Sequence, residues 1–129
     1  MEISTDTLPL DMGKTAVNRL TNLYVKIITK KLGTKPVISY PKTGSIIKTL
    51  LKSCSEIQAS ALIMAHCNFN STKNEWLSSQ LKLKIYPIEM LLANVNIYIS
   101  YLIFERNVEY DDVDNLKERV YKYIDTLQI

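Results

Sequence analysis

Between Ala16 and Ile28 the apolar residues recur at the spacing of one face of an α-helix. Ala16, Val17, Leu20, Leu23, Tyr24, Ile27 and Ile28 fall within a single arc at ~100° per residue. The same spacing returns in Ile46, Ile47, Leu50, Leu51 and Cys54, in Trp76, Leu77, Gln80 and Leu81, and in Val113, Leu116, Val120, Ile124 and Leu127. Between these, residues 59–65 are apolar nearly all round, as expected of a central helix. A fold built this way needs few turns, and the chain has only 3 Gly and 4 Pro. These patterns predict an all-α protein, a compact bundle of about six helices.

Capping residues place the boundaries. Asp11 can open the first helix, and Gly33 can close it in the left-handed conformation. Residues 1–10 read as an extended arm. Pro36 blocks a helix, so one short extended segment is expected near residues 35–40, followed by a turn at Pro41-Lys42-Thr43-Gly44. The second helix is expected over Ser45–Ser53. Ser55 with Gln58, and Thr72 with Glu75, have capping-box spacing and open the third and fourth helices. Pro87 suits the first turn of a long fifth helix that buries Ile88, Leu91, Leu92, Val95, Ile99, Leu102 and Ile103. The last helix starts at Asp111 or Asp112. At 129 residues, with no linker or repeat, the chain reads as a single helical domain.

Several classes are set aside by composition. The stretch from Pro87 to Phe104 is the longest apolar one, but Glu89, Asn94, Asn96 and Ser100 interrupt it, so a core helix is expected rather than a membrane span. The polar, acidic start Met1-Glu2-Ile3-Ser4-Thr5-Asp6 is unlike a signal peptide. Two cysteines, Cys54 and Cys67, do not make a disulfide scaffold. A cytoplasmic protein is expected.

Charge is sharply divided. Between residues 12 and 55 there are nine basic residues and no acid, a local charge of +9 hidden beneath a whole-chain net of +3. Arg19, Asn22, Lys26 and Lys30 fall within ~80° of each other on the flank of the first helix. Lys14, Lys35, Lys42, Lys48 and Lys52 extend the set. Such a stripe can neutralise nucleic-acid phosphates and release counterions, and Tyr40 could stack on a base. Lysine rather than arginine favours backbone contacts over base reading. The stripe could equally be a solvated face, dock on the acidic C-terminal segment of the same chain, or meet an acidic protein surface.

Motifs for other chemistry are incomplete. Gly13-Lys14-Thr15 lacks the earlier glycine of a phosphate-binding loop, where Leu8 stands. Cys54, His66 and Cys67 have no tetrahedral spacing, and the lone His66 has no evident catalytic partners, so neither a metal, a cofactor nor a catalytic residue is expected. Helices two and three could form a helix-turn-helix through Ser53-Cys54-Ser55, but the third is too apolar to read a groove. On the fifth helix, Ile97, Tyr98, Tyr101 and Phe104 exceed what one buried stripe needs. They mark either a helix contacted on several sides or an exposed patch for a partner or a second copy.

The run Lys35-Pro36-Val37-Ile38, Gly44-Ser45-Ile46-Ile47-Lys48-Thr49-Leu50-Leu51-Lys52, Ser55-Glu56 and Ala61-Leu62-Ile63, with the later Tyr86-Pro87-Ile88, resembles small helical domains of bacteriophage replication and DNA-metabolism proteins. The resemblance covers roughly residues 32–104. It implies a phage accessory protein, in the host cytoplasm, that binds DNA or a replication component and has no catalytic residues. Charge and resemblance together predict a non-enzymatic nucleic-acid-binding protein of replication or transcription. The alternative is an adaptor or inhibitor of a host or phage enzyme.

Overall fold

The computed structural model describes residues 7–33, 38–68, 88, 91–107 and 109–127, without the side chains of residues 31, 32 and 104–106. Five α-helices are present among them: α1 (Ala16–Leu32), α2 (Tyr40–Leu51), α3 (Glu56–Asn68), α4 (Val95–Arg106) and α5 (Val113–Thr126). Short 3-10 turns at Leu10–Met12 and Leu92–Asn94 precede α1 and α4. No strand occurs among the described residues, and the fold is all-α. The helix expected over residues 72–81 lies outside the described residues.

Local chemistry accounts for the ends. Thr15, extended at φ −124° and ψ 162°, caps α1 by accepting from the Asn18 N–H at 3.1 Å. Asp11 is therefore not the cap; it lies in the preceding 3-10 turn. Gly33 does close α1, at φ 78°, where a side chain is disfavoured. Ser55 and Gln58 form the expected reciprocal box, each side chain accepting from the other's backbone N–H at 3.2 and 3.0 Å. Asp112 caps α5 through the Asn115 N–H.

The largest departure from the sequence-based expectation is at α2. Pro41-Lys42-Thr43-Gly44 is not a turn but the first turn of the helix. Ser39 caps it, and Pro41 sits where no backbone donor is needed. Of the expected extended segment, Thr34–Val37 lies outside the described residues, and the extended backbone of Ser39 leads straight into the helix. Of the helix expected from Pro87, residues 87, 89 and 90 lie outside the described residues; Leu92–Asn94 is a 3-10 turn that ends at Asn94 (φ −119°, ψ 16°), and the α-helix runs from Val95.

α3 is the centre of the bundle. Ten of its thirteen residues are buried, which requires neighbours on every side, and it packs against α1, α2, α4 and α5. α1, α3 and α5 run parallel. At one end Arg19 of α1 meets Glu56 of α3, and Gln58 of α3 donates to the Tyr110 carbonyl ahead of α5. At the other end Lys30 of α1 donates to the Thr126 carbonyl of α5, and Asn68 of α3 donates to the Tyr123 hydroxyl. Parallel helices align their dipoles unfavourably. The Lys30 ammonium at the gathered C-termini offsets part of this, whereas the Glu56 carboxylate at the gathered N-termini is already neutralised by Arg19.

Of the expected N-terminal arm, residues 1–6 lie outside the described residues, and residues 7–10 close over the first of these ends. Leu8 is fully buried, and its N–H donates to Glu56 Oε2 at 2.8 Å. Tyr121 of α5 donates to the Thr7 carbonyl at 2.8 Å.

Candidate nucleic-acid interface

α2 is amphipathic in a way that separates core from surface. Thr43, Ile47 and Leu50 are buried against the bundle. Lys42, Ser45, Lys48, Thr49 and Lys52 are all exposed. At ~100° per residue these five lie within ~120° of one another, on the side away from the buried residues. Lys42 and Lys52 are ~15 Å apart along the axis at 1.5 Å per residue. No acidic residue stands on α2. Tyr40, at its first position, is 51% exposed and lies off this arc.

The lysine set expected from sequence does not form one face. Arg19 leaves it altogether: it is only 8% exposed, and its guanidinium forms a bidentate ion pair with Glu56. Nε donates to Oε2 and Nη2 to Oε1, both at 2.8 Å, while Nη1 donates to the Gly13 carbonyl at 3.2 Å. The hydrogen-bonded carboxylate raises the Arg19 pKa above the ordinary guanidinium value, against the opposing effect of burial. With three of its five N–H donors engaged and its charge paired in a buried contact, Arg19 is withdrawn from the exposed basic set. Lys30 is bound to the last turn of α5. Lys14 and Lys26 are exposed, but Lys26 lies ~180° around α1 from Val17, and Val17 is the residue that approaches α2 at Gly44. Lys26 therefore points away from α2 and does not join its lysines. Lys35 lies outside the described residues.

The C-terminal helix, whose three acidic residues are matched by three basic ones, thus takes up part of the basic half. Its last turn engages Lys30, and Tyr121 binds the arm beside Arg19. Asp114, Glu118 and Asp125 remain exposed on α5.

The aromatic patch expected on the fifth helix is also corrected. Tyr98 is 2% exposed, because it packs edge-on against His66 of α3, ring centroids 5.4 Å apart. Its hydroxyl is hydrogen-bonded to His66 Nδ1 at 2.8 Å. Tyr101 is half-buried, and the Phe104 side chain lies outside the described residues. Ile97 is exposed, at 47%.

Ser45 and Thr49 share the α2 arc with the lysines and were not singled out from sequence. Their spacing of four residues, between Lys42 and Lys52, was the available signal. Glu56 was also missed as the partner of Arg19. Thr49 donates its hydroxyl to the Ser45 carbonyl at 3.0 Å, which leaves the hydroxyl oxygen able to accept from outside. No cluster of three His, Cys, Asp or Glu able to hold a metal ion occurs among the described residues. No helix among them is long and apolar enough to cross a membrane.

No protein-family model, curated protein or solved structure matches this chain.

Proposed function

We propose that this protein binds nucleic acid through the exposed face of α2, by neutralising backbone phosphates, and acts as a non-enzymatic accessory factor. The observation that carries the reading is the arc of Lys42, Lys48 and Lys52, exposed together along a helix whose own sequence holds no acid. The residues that resemble phage domains include Lys48 and Lys52, and a role beside a phage replication or transcription complex is part of the same proposal. An adaptor that grips an acidic protein surface would use the same lysines.

The test is fluorescence anisotropy on a labelled oligonucleotide over a range of salt. Three phosphate contacts to duplex DNA give a slope of log K against log salt of about −3, or roughly 40-fold weaker binding from about 50 to 200 mM. Replacing Lys42, Lys48 and Lys52 together by Gln should abolish this slope without unfolding the protein, since none of the three is buried. A triple variant that binds like the parent refutes the assignment of the face. Absence of binding at low salt refutes the reading, and capture of one stoichiometric protein from nuclease-treated lysate would then put the adaptor in its place.

A further inference from the structure

Resting on the reading just given, we propose that Glu109 and Asp111 are specificity-determining residues of the same site: held beside the C-terminal end of α2, they repel phosphate there and set the affinity of the lysine face below what its cations alone would give.

Tyr110 is the link between the two elements. Residues 109–112 form a turn, closed by the Asp112 N–H donating to the Glu109 carbonyl at 3.2 Å. Two contacts fix this turn at the junction of α2 and α3. Gln58 Nε2 donates to the Tyr110 carbonyl at 3.2 Å, and the Tyr110 side chain is hydrogen-bonded to Cys54. Cys54 stands two residues after Lys52, the C-cap of α2, a separation of no more than about 7 Å. Glu109 and Asp111 flank Tyr110 in sequence, and both are exposed. No basic residue lies between Arg106 and Lys117 to offset them. Neither carboxylate, and neither Lys48 nor Lys52, has an ion-pair partner among the described residues. The basic face and the acidic turn are therefore neighbours that do not neutralise each other by contact.

The fold accounts for the other two acids of this segment. Asp112 caps α5 and Asp114 stands in its first turn, where the helix dipole favours a carboxylate. Glu109 and Asp111 lie ahead of the cap, outside the helix, and their side chains make no packing contact that needs a charge. The N-termini gathered at this end of the bundle tolerate negative charge. A polyanion seated on α2 meets it as repulsion.

The size of the effect follows from distance and screening. Chain lengths put a phosphate at Lys52 on the order of 15 Å from these carboxylates. At that range one pair of like charges in water weakens binding about 1.6-fold unscreened, and about 1.3-fold at 0.01 M salt, where the Debye length is ~30 Å. Two acids facing two or three phosphates make this roughly three- to fivefold. At 0.15 M the Debye length is ~8 Å, and the effect falls below about twofold.

The experiment measures binding of a labelled DNA duplex to the full chain by fluorescence anisotropy at about 0.01 and 0.15 M salt. Glu109→Gln/Asp111→Asn removes the two charges and leaves the Asp112 cap in place. Glu118→Gln/Asp125→Asn removes two exposed charges farther along α5, so that net charge is matched. Glu109→Asp/Asp111→Glu changes shape and keeps charge. The first variant should bind about three- to fivefold more tightly than the parent at the lower salt and less than about twofold more tightly at the higher. The second should gain less than about twofold at either, and the third should bind like the parent. Equal gains in the first two variants, or no gain in the first, overturn the proposal and leave the α2 reading standing. A gain in the charge-keeping variant as large as in the first does the same. A parent that fails to bind at the lower salt overturns both readings together.

Discussion

Replacing Glu56 by Gln removes one charge from the contact that ties three elements together. Gln keeps an oxygen to accept from the Leu8 N–H, and its size is nearly unchanged. What is lost is the counter-charge of Arg19, in a pair whose side chains are only 10% and 7% exposed. Breaking a buried pair from one side costs about 3–5 kcal/mol, because the remaining ion stays desolvated. For a chain of this length the unfolding entropy is about 0.27 kcal/mol/K, so the midpoint should fall by about 11 to 18 °C. Arg19→Met should cost a similar amount by stranding the carboxylate. The double variant carries no buried ion and should be less destabilised than the two singles summed, by roughly 2 kcal/mol or more. Thermal and urea unfolding followed by circular dichroism measure all four corners of the cycle. A Glu56→Gln loss below ~1 kcal/mol, the scale of an exposed pair, or strict additivity, would refute the buried-clasp reasoning.

Two further outcomes follow from the same packing. Burial pushes the Cys54 thiol up, against its hydrogen bond with Tyr110; burial and the neighbouring Cys54 push the Tyr110 phenol up strongly. Folded values above the unfolded ones mean stability that is complete below the ordinary thiol value of 9.0 and is lost as pH rises through the folded values. The urea midpoint should therefore fall between neutral pH and about pH 11, and fall less steeply in Tyr110→Phe; a flat profile in the parent contradicts this. Among the glycines, a Cβ at Gly13 would meet the Arg19 backbone nitrogen at 2.9 Å, whereas at Gly44 it would meet only Val17 Cγ1 at 3.6 Å. Gly13→Ala should cost about 1–3 kcal/mol, and Gly44→Ala, inside α2, should stabilise by about 0.5–1 kcal/mol; equal effects in urea unfolding would contradict the close approach at Gly13.

What was legible in the sequence was what short-range chemistry decides. The arc from Ala16 to Ile28, the Gly33 stop, the Ser55–Gln58 box and the Asp112 cap each depend on residues within a turn or two, and each is present. The central place of α3 was readable because an apolar surface all round can be satisfied only by neighbours all round. Pro41-Lys42-Thr43-Gly44 misled because its composition is that of a turn. The first-turn rule that favours proline applies there, and the half-buried Gly44 sits against α1, which composition does not show. Arg19 misled for a different reason: its partner is 37 residues away, and Glu56 looks locally like an ordinary first-turn acid. Tyr98 fails in the same manner, since an aromatic on an apolar helix reads as exposed or buried only once His66 is known to face it. The candidate interface was legible from charge at Lys48 and Lys52, which lie in or at the end of the helix expected over Ser45–Ser53, whereas Lys42 joins their arc only because the helix begins at Tyr40.

The arm over Arg19 and Glu56 has a consequence for the order of assembly. Leu8 finds its acceptor 48 residues later and Thr7 its donor 114 residues later. A ribosome adding about 5–20 residues per second needs roughly 6–23 s to travel from residue 7 to residue 121. Throughout that interval Leu8 has no complete socket, and the ion pair beneath it has no lid. Nascent α1 and α2 can be helical, but the contacts that seal the bundle are made last, by nearly opposite ends of the described chain. The protein is therefore built to fold after synthesis of α5 rather than piece by piece along the way.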